Sequence, residues 1–382
     1  MRGVTGEVTA CDACLRRAWL VARLAGRLEI ARLKRGAASS GRLREILALP
    51  DERVLTVLAG PDAPSVVAEL EALDSGDLRA RCSAAQLTPA CRHYPRYPAR
   101  LADLPDPPAV LFIAGRVECL VELAGGTLDE GATAVAVVGT RRASPDGLEV
   151  ARGLGRGIGA AGVTVVSGMA LGVDSAAHAG ALEARGSTIA VLAGGADRPY
   201  PASKRALYRS IVEQHCVVSE MPPGFTPMRW CFPARNRIIA GLAHATVVVE
   251  AAERSGSLIT AEYAADLGRE VGAVPGPVSS WRSAGTNALL RDGATLVRHT
   301  RDVLDAVVGV EGAAAAPPAD PAAGLEPRLA SVLRAVAGGR DTLAALAGTP
   351  DQAQSTLAAL TELELLGLLR RVPGGRYLPV AR

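Results

Sequence analysis

The sequence predicts an α/β protein: a Rossmann-like, doubly wound and mostly parallel sheet, flanked by a small N-terminal helical domain and a C-terminal winged-helix domain. Three observations carry this expectation. Six short apolar runs rich in β-branched residues, at 134–138, 163–166, 188–192, 217–218, 245–249 and 271–274, alternate with helix-period stretches. Such runs suit parallel strands buried on both faces and joined by helical crossovers. The first hundred residues show helical periodicity, and the chain closes on two strand-like runs around Pro373-Gly374-Gly375. A chain of 382 residues is also too long for one ordinary core.

Residues 1–95 read as short helices, with an Arg-rich amphipathic stretch at 15–33 and another at 54–73. Seven cysteines, an odd number without a regular framework, suit reduced thiols in a cytoplasmic protein. Cys11 and Cys14 form one C-x-x-C, and Cys82 and Cys91 lie far downstream. These four could hold zinc, but with that spacing the plainer reading is a turn of the N-terminal helix, and no metal is assigned. The N-terminus lacks the charged, apolar and small-residue succession of a secretory signal, and no apolar run reaches membrane-spanning length. A soluble protein with no membrane partner is expected.

Residues 96–308 read as the α/β domain with its connector, which begins in Tyr94-Pro95-Arg96-Tyr97-Pro98 and Leu104-Pro105-Asp106-Pro107-Pro108, where proline blocks regular helix. Residues 309–326, rich in Ala, Pro and Gly, read as a linker. Residues 327–382 carry three helical patterns and the hairpin-like end, the signature of a winged helix. Its recognition stretch at 350–357 contains no Lys or Arg, and Arg370, Arg371 and Arg376 stand on the wing. Anchoring to duplex phosphates would be weak there, which disfavours a transcription regulator.

A formal net charge of +3 excludes coating of nucleic acid by bulk charge, so any phosphate site must be local. With 3% aromatic residues, an extended stacking platform is excluded as well. Gly157-x-Gly159-x-x-Gly162 matches the dinucleotide fingerprint but closes a helix before the run at 163 rather than opening one after a strand. Gly162 is better read as a C-cap, and no cofactor is assigned.

The first strand-to-helix turn is Gly139-Thr140-Arg141-Arg142-Ala143-Ser144-Pro145. Gly139 permits close backbone approach, Ser144 is a good N-cap before proline, and Arg141 stands beside that helix start, so the turn reads as an anion site. The alternative is that Arg141 only pairs with a neighbouring carboxylate. Ser255-Gly256-Ser257 forms a second such turn after the run at 245–249. Turns at the carboxyl ends of parallel strands share one edge, so both can line one crevice. Between them, Arg229-Trp230-Cys231-Phe232-Pro233-Ala234-Arg235-Asn236-Arg237 mixes cations and rings. Pro233 would start a helix, with Arg235 and Arg237 available for phosphate and Phe232 or Trp230 for a base face, unless the rings are core anchors.

The ordered set Gly139-Thr140-Arg141, 167–178 (Ser167-Gly168-Met169-Ala170-Leu171-Gly172-Val173-Asp174-Ser175-Ala176-Ala177-His178), Phe232-Pro233-Ala234-Arg235-Asn236-Arg237, Ser255-Gly256-Ser257-Leu258, Pro275-Gly276 and Gly285-Thr286-Asn287 resembles the DNA-processing protein A (DprA or Smf) family. The resemblance covers the whole α/β domain and implies single-stranded DNA binding without catalysis, a homodimer formed through that domain, and RecA loading during natural transformation. Carried over residue by residue, the DNA-contacting candidates are Arg141, Arg235, Arg237, Ser255, Gly256 and Ser257, with Phe232, and Gly139, Thr140, Ser167, Gly168 and Asn236 complete the phosphate-binding set. It places the dimer surface in the last part of the domain, where Leu289, Leu290, Leu296, Val297 and Val303 are apolar candidates that could equally be core.

An enzymatic alternative is a phosphoribohydrolase-like protein of related fold, whose Pro-Gly-Gly-x-Gly-Thr-x-x-Glu is only loosely matched by 254–262, with Glu262 displaced by one position. Such a shift turns a helical carboxylate by roughly 100 degrees. Asp174 and His178, four apart on a helix, could face each other as an acid/base pair, although buried support of the phosphate turn is the simpler role.

Overall fold

The computed structural model describes residues 10–33, 39–95, 97–124, 133–313, 322, 325–337, 340–347, 350–372 and 375–379. Most of the expected linker lies outside these residues, as do Arg96 of the connector and Pro373 and Gly374 of the terminal turn. The chain divides into two compact units, Met1–Ala313 and Ala314–Arg382.

The first unit is built on nine strands: β1 (Leu87–Cys91), β2 (Val110–Gly115), β3 (Ala134–Val138), β4 (Thr164–Ser167), β5 (Thr188–Val191), β6 (Cys216–Ser219), β7 (Ala245–Val248), β8 (Glu270–Ala273) and β9 (Thr295–Leu296). Their order is β1-β2-β6-β5-β4-β3-β7-β8-β9. All pairings from β6 to β9 are parallel, whereas β2 runs antiparallel to both β1 and β6. The six expected strands correspond to β3 through β8. The sequence shows no clear strand signal at β1, which contains Pro89; an edge strand tolerates the missing N–H.

From β3 the sheet grows one way through β4, β5 and β6 and the other way through β7, β8 and β9. The loops leaving β3 and β7 therefore diverge at a topological switch point, where open α/β sheets form their crevice. Alternation along β3 supplies both faces of the core. Ala134, Ala136 and Val138 pack with Ile238, Ile239 and Leu242 of the helix Cys231–Leu242, while Val135 and Val137 pack with the helices Pro145–Ala160 and Val173–Glu183.

Those last two helices meet through glycine. A Cβ at Gly155 would overlap the Ala177 carbonyl, and one at Gly180 the Arg152 carbonyl. Gly157 and Gly159 lie inside the same helix, against Thr300 and Gly186, and Gly162 follows the C-cap at a φ of 76°. The fingerprint-like spacing thus serves close helix packing and helix termination.

The N-terminal helices share cores with the sheet. Leu15, Leu78 and Cys82 pack with Phe112 and Val217, and Leu20, Leu24 and Leu28 pack with Trp230 and Ala234. Two residues proposed for a dimer surface are core instead: Val297 and Val303 are buried with Val247 and Val307. Leu289 packs partly against the other core, Leu290 is partly buried, and Leu296 is exposed on the edge strand β9.

The second unit places the helices Pro327–Ala337, Leu343–Leu346 and Pro350–Leu365 before an antiparallel pair, β10 (Leu369–Val372) and β11 (Arg376–Pro379). Leu329, Leu333, Leu360, Leu363 and Tyr377 form its core, giving the winged-helix arrangement. Among the described residues, no helix is long and apolar enough to cross a membrane.

Candidate nucleic-acid interface

The turns after β3 and β7 and the start of the helix Cys231–Leu242 enclose a cleft of about 220 Å³. It is lined by Gly139, Arg141, Asp174, Phe232, Arg235, Asn236, Ser255, Gly256 and Ser257, among others. A side chain at Gly139 would strike Val173, so glycine lets this turn lie against the start of the helix Val173–Glu183.

One half of the anion-site expectation needs correction. Ser144 caps the helix Pro145–Ala160, its Oγ accepting from Gly147 N at 2.9 Å. Its own N–H and hydroxyl donate to the two carboxylate oxygens of Glu250, at 2.9 and 2.6 Å. A carboxylate of the protein therefore already occupies that helix start. Thr140 serves the same clasp: its N–H donates to Glu250 O at 2.7 Å, and its Oγ1 accepts from Arg142 N at 3.2 Å.

Arg141 remains exposed, with its guanidinium 4.7 Å from the centre of the Phe232 ring. Among the described residues it has no carboxylate partner, so the simple salt-bridge alternative does not apply. Arg235 is buried in the cleft wall. Its Nη1 donates to Val191 O and, at 2.8 Å, to Gly168 O, and its Nε donates to Asn236 Oδ1 at 3.3 Å. Nη2 has no acceptor among the described residues and is not sealed from the cleft, so it is a cationic donor that suits an anion. Burial lowers this guanidinium to about 10, which leaves it charged at neutral pH. Gly168 makes room for it, since a Cβ there would overlap the guanidinium. Asn236 Nδ2 in turn donates to Gly256 O at 3.0 Å, joining the two helix starts.

The turn after β7 opens into the cleft. Ser255 is the N-cap of the helix Gly256–Asp266; its Oγ accepts from Ser257 N at 3.4 Å and lies 2.8 Å from Ser257 Oγ. A Cβ at Gly256 would meet nothing within 4 Å. This open helix N-terminus is the second anion-seeking feature beside Arg141 and Arg235.

Three expected contacts lie elsewhere. Arg237 is buried away from the cleft: it donates to both carboxylate oxygens of Glu220, at 3.0 and 2.7 Å, and to Asp106 Oδ2 at 2.8 Å. Burial opposes its charge, but Glu220 and Asp106 outweigh that and hold its pKa above the ordinary value. It is consumed by its ion pairs. Ser167 is fully buried, and its hydroxyl donates to Val137 O at 2.6 Å, tying β4 to β3. Trp230 is a core side chain, and the helix begins at Cys231, two residues before Pro233.

Asp174 and His178 do not face each other. His178 donates from Nδ1 to Thr188 Oγ1 at 2.7 Å, whose own hydrogen goes to Val165 O, and burial lowers the imidazole to about 3. Asp174 accepts from Ala170 N at 3.4 Å and lines the cleft; burial pushes its carboxyl up despite the nearby Arg235. Glu262, which the enzymatic alternative needs, is exposed and not part of the lining. Phe232 also borders an adjoining cleft of about 80 Å³, whose wall includes Tyr200. The two rings are 5.7 Å apart, and Tyr200 is 47% exposed. Tyr200 was not expected from sequence; a solitary ring in Pro199-Tyr200-Pro201, in a chain with few aromatics, was the available signal.

The family profile for DNA recombination-mediator protein A matches residues 89–308, and that for the DprA winged helix domain matches 313–375. A DprA-type protein of Mycobacterium tuberculosis is 51% identical over 181 residues, covering 47% of this chain and 46% of that relative. The match thus spans about half the length of that relative. Protein Smf of Synechocystis is 34% identical over 318 residues, covering 74% of this chain and 78% of the relative. Among solved structures, DNA processing protein A of Streptococcus pneumoniae superposes with a TM-score of 0.60 at 30% identity, over 78% of this chain and 99% of that one. Its Helicobacter pylori counterpart, described for its single-stranded DNA binding mode, gives 0.51 at 27% identity, over 58% of this chain and 96% of that one.

Proposed function

Because the chain belongs to the DNA recombination-mediator protein A family, we propose that it binds single-stranded DNA by its backbone in the β3/β7 crevice and hands that strand to RecA. The observation that carries this reading is the convergence in one crevice of the unpaired Arg141, the buried Arg235 and the open helix start at Gly256, beside the Phe232 and Tyr200 rings. Phosphate donors with a few stacking faces hold many sequences alike, which is what a mediator needs. Catalysis forms no part of the proposal, since Asp174 is the one carboxylate in the described lining.

The proposal extends to a cytoplasmic homodimer acting during natural transformation, with Leu290 and Leu296 as the remaining apolar candidates for its surface. Two crevices held side by side would raise avidity without new contacts. Binding is assigned to the α/β region at 96–308, with the helices at 1–95 supporting it and the linker at 309–326 leading to the winged helix at 327–382.

Arg141→Ala tests the crevice. Affinity for single-stranded oligonucleotides is expected to fall by a similar factor for every sequence, and the salt slope to flatten by about 1, because a phosphate contact carries no base information. Titrations at several salt concentrations, with duplex DNA in parallel, check this; unchanged affinity and slope would remove the crevice from the binding path. The mediator role is tested by RecA ATP hydrolysis on strands already covered by single-strand-binding protein, where the chain is expected to shorten the nucleation lag. A lag left unchanged while strand binding is confirmed would leave DNA protection alone.

A further inference from the structure

Cys11, Cys14, Cys91 and His93 converge at the joint between the first N-terminal helix and the edge of the sheet, with their ligand atoms all within 4.8 Å of one another. Cys11 is the N-cap of the helix Asp12–Arg23, and Cys14 lies in its first turn. Cys91 ends β1, and His93 stands in the turn that follows, where Arg92 N donates to Ala109 O and Tyr94 N to Cys91 O. His93 Nδ1 is 3.4 Å from the sulfur of Cys11 and 3.4 Å from that of Cys14.

These separations have a specific meaning. With Zn–S near 2.3 Å and Zn–N near 2.0 Å, the S···S and S···N edges of a tetrahedron come to roughly 3.8 and 3.5 Å. The observed sulfur to nitrogen distances fall on that edge length. A polynuclear iron–sulfur cluster must spread its thiolates around several metal atoms, so so tight a set suits one ion. Three thiolates and an imidazole select zinc over harder cations. Two of the thiolates sit at a helix N-terminus, whose positive end favours their charge.

We propose that Cys11, Cys14, Cys91 and His93 bind a structural zinc ion that staples the N-terminal helix to the edge of the sheet. Cys82, the fourth cysteine suggested by sequence, belongs to the core with Leu78 and Phe112 and is not a ligand. The site lies five strand positions from β3, so the ion has no part in the DNA crevice. Its role is to close an 82-residue separation between Cys11 and His93, where metal binding energy adds directly to folding energy.

The full chain, purified reduced and without chelator, is expected to carry one zinc per molecule by mass-spectrometric metal analysis. Replacement by Co²⁺ should give the visible absorption of tetrahedral cobalt with thiolate charge-transfer bands. His93→Ala, at an exposed position, and Cys11→Ser should weaken zinc binding at least about 100-fold, in line with loss of a direct ligand, while Cys82→Ala keeps full stoichiometry. Stripping zinc from the native chain should lower Tm, whereas His93→Ala should bind single-stranded DNA normally below its own Tm. The proposal is overturned if reduced, zinc-supplied protein takes up no metal, if His93→Ala and Cys11→Ser retain native stoichiometry and affinity, or if cobalt shows no thiolate charge transfer. A Cys11–Cys14 disulfide that persists in place of metal uptake would overturn it equally.

Discussion

Arg237→Ala is expected to destabilise the first unit by about 3–5 kcal/mol, the cost of breaking a buried ion pair by removing one partner. The side chain of Arg237 is 3% exposed and that of Asp106 is 1% exposed, so solvent cannot replace the lost cation. Three segments are involved: the helix Cys231–Leu242, the connector before β2 at Asp106, and the loop after β6 at Glu220. The variant leaves Asp106 and Glu220 with Arg44, 4.0 Å from Asp106 and partly exposed, as the remaining nearby cation. Burial already pushes the Asp106 carboxyl up in the native chain, and losing Arg237 pushes it further. A carboxyl whose folded pKa exceeds its unfolded value opposes folding at neutral pH, and this penalty vanishes as pH falls toward the unfolded pKa. The deficit of the variant should therefore be largest near pH 7 and shrink below the folded pKa of Asp106. Thermal unfolding at neutral pH should show a loss on the order of 10 °C, and adding Asp106→Asn with Glu220→Gln should recover part of it. An unchanged Tm would mean that Arg237 is not the cation of a buried pair.

Arg237 also illustrates where the sequence stops being legible. Arg235 and Arg237 occur in one short motif, and both looked available for phosphate. Two positions on a helix are about 200 degrees apart, so only one can face the crevice. Which one does so depends on Asp106, 131 residues away, and on Glu220, neither of which announces a partner in the sequence. Similarly, Ser144 and Pro145 are a legible helix start, but its occupation by Glu250 depends on a contact across 106 residues. The strands β3 through β7 are legible because burial on both faces demands continuous apolar runs, and the half-exposed β8 is legible from its short apolar run at 271–274. By contrast, β9 has two residues and β1 contains Pro89, so neither leaves such a run. Glycine at 139 and 168 signals close approach, but the groups approached, Val173 and the Arg235 guanidinium, are not announced in the sequence. The Cys91-Arg92-His93 segment gives no pairing signal in the sequence, because His93 meets Cys11 and Cys14 across 82 and 79 residues.

Gly256→Asp is expected to weaken single-stranded DNA binding by about 100-fold or more, equivalent to about 2.7 kcal/mol, without loss of stability. Gly256 is the first residue of the helix Gly256–Asp266, and a Cβ there meets nothing within 4 Å, so the side chain enters open cleft rather than packed core. An acidic residue in the first helical turn interacts favourably with the helix dipole, and replacing glycine removes backbone entropy, so Tm should hold or rise. The same carboxylate would stand where a phosphate oxygen is expected, beside Arg141 and Arg235, neutralising their field and repelling the strand. Gly256→Asn supplies the matching shape without charge. The difference between the Asp and Asn variants isolates electrostatics, and it should narrow as salt rises, because exposed charges are screened. Fluorescence anisotropy of both variants across a salt series, with thermal melts in parallel, makes the measurement. Equal affinities for the Asp and Asn variants at low salt would show that no phosphate approaches the Gly256 helix start, and the strand path would then have to avoid the β7 side of the crevice.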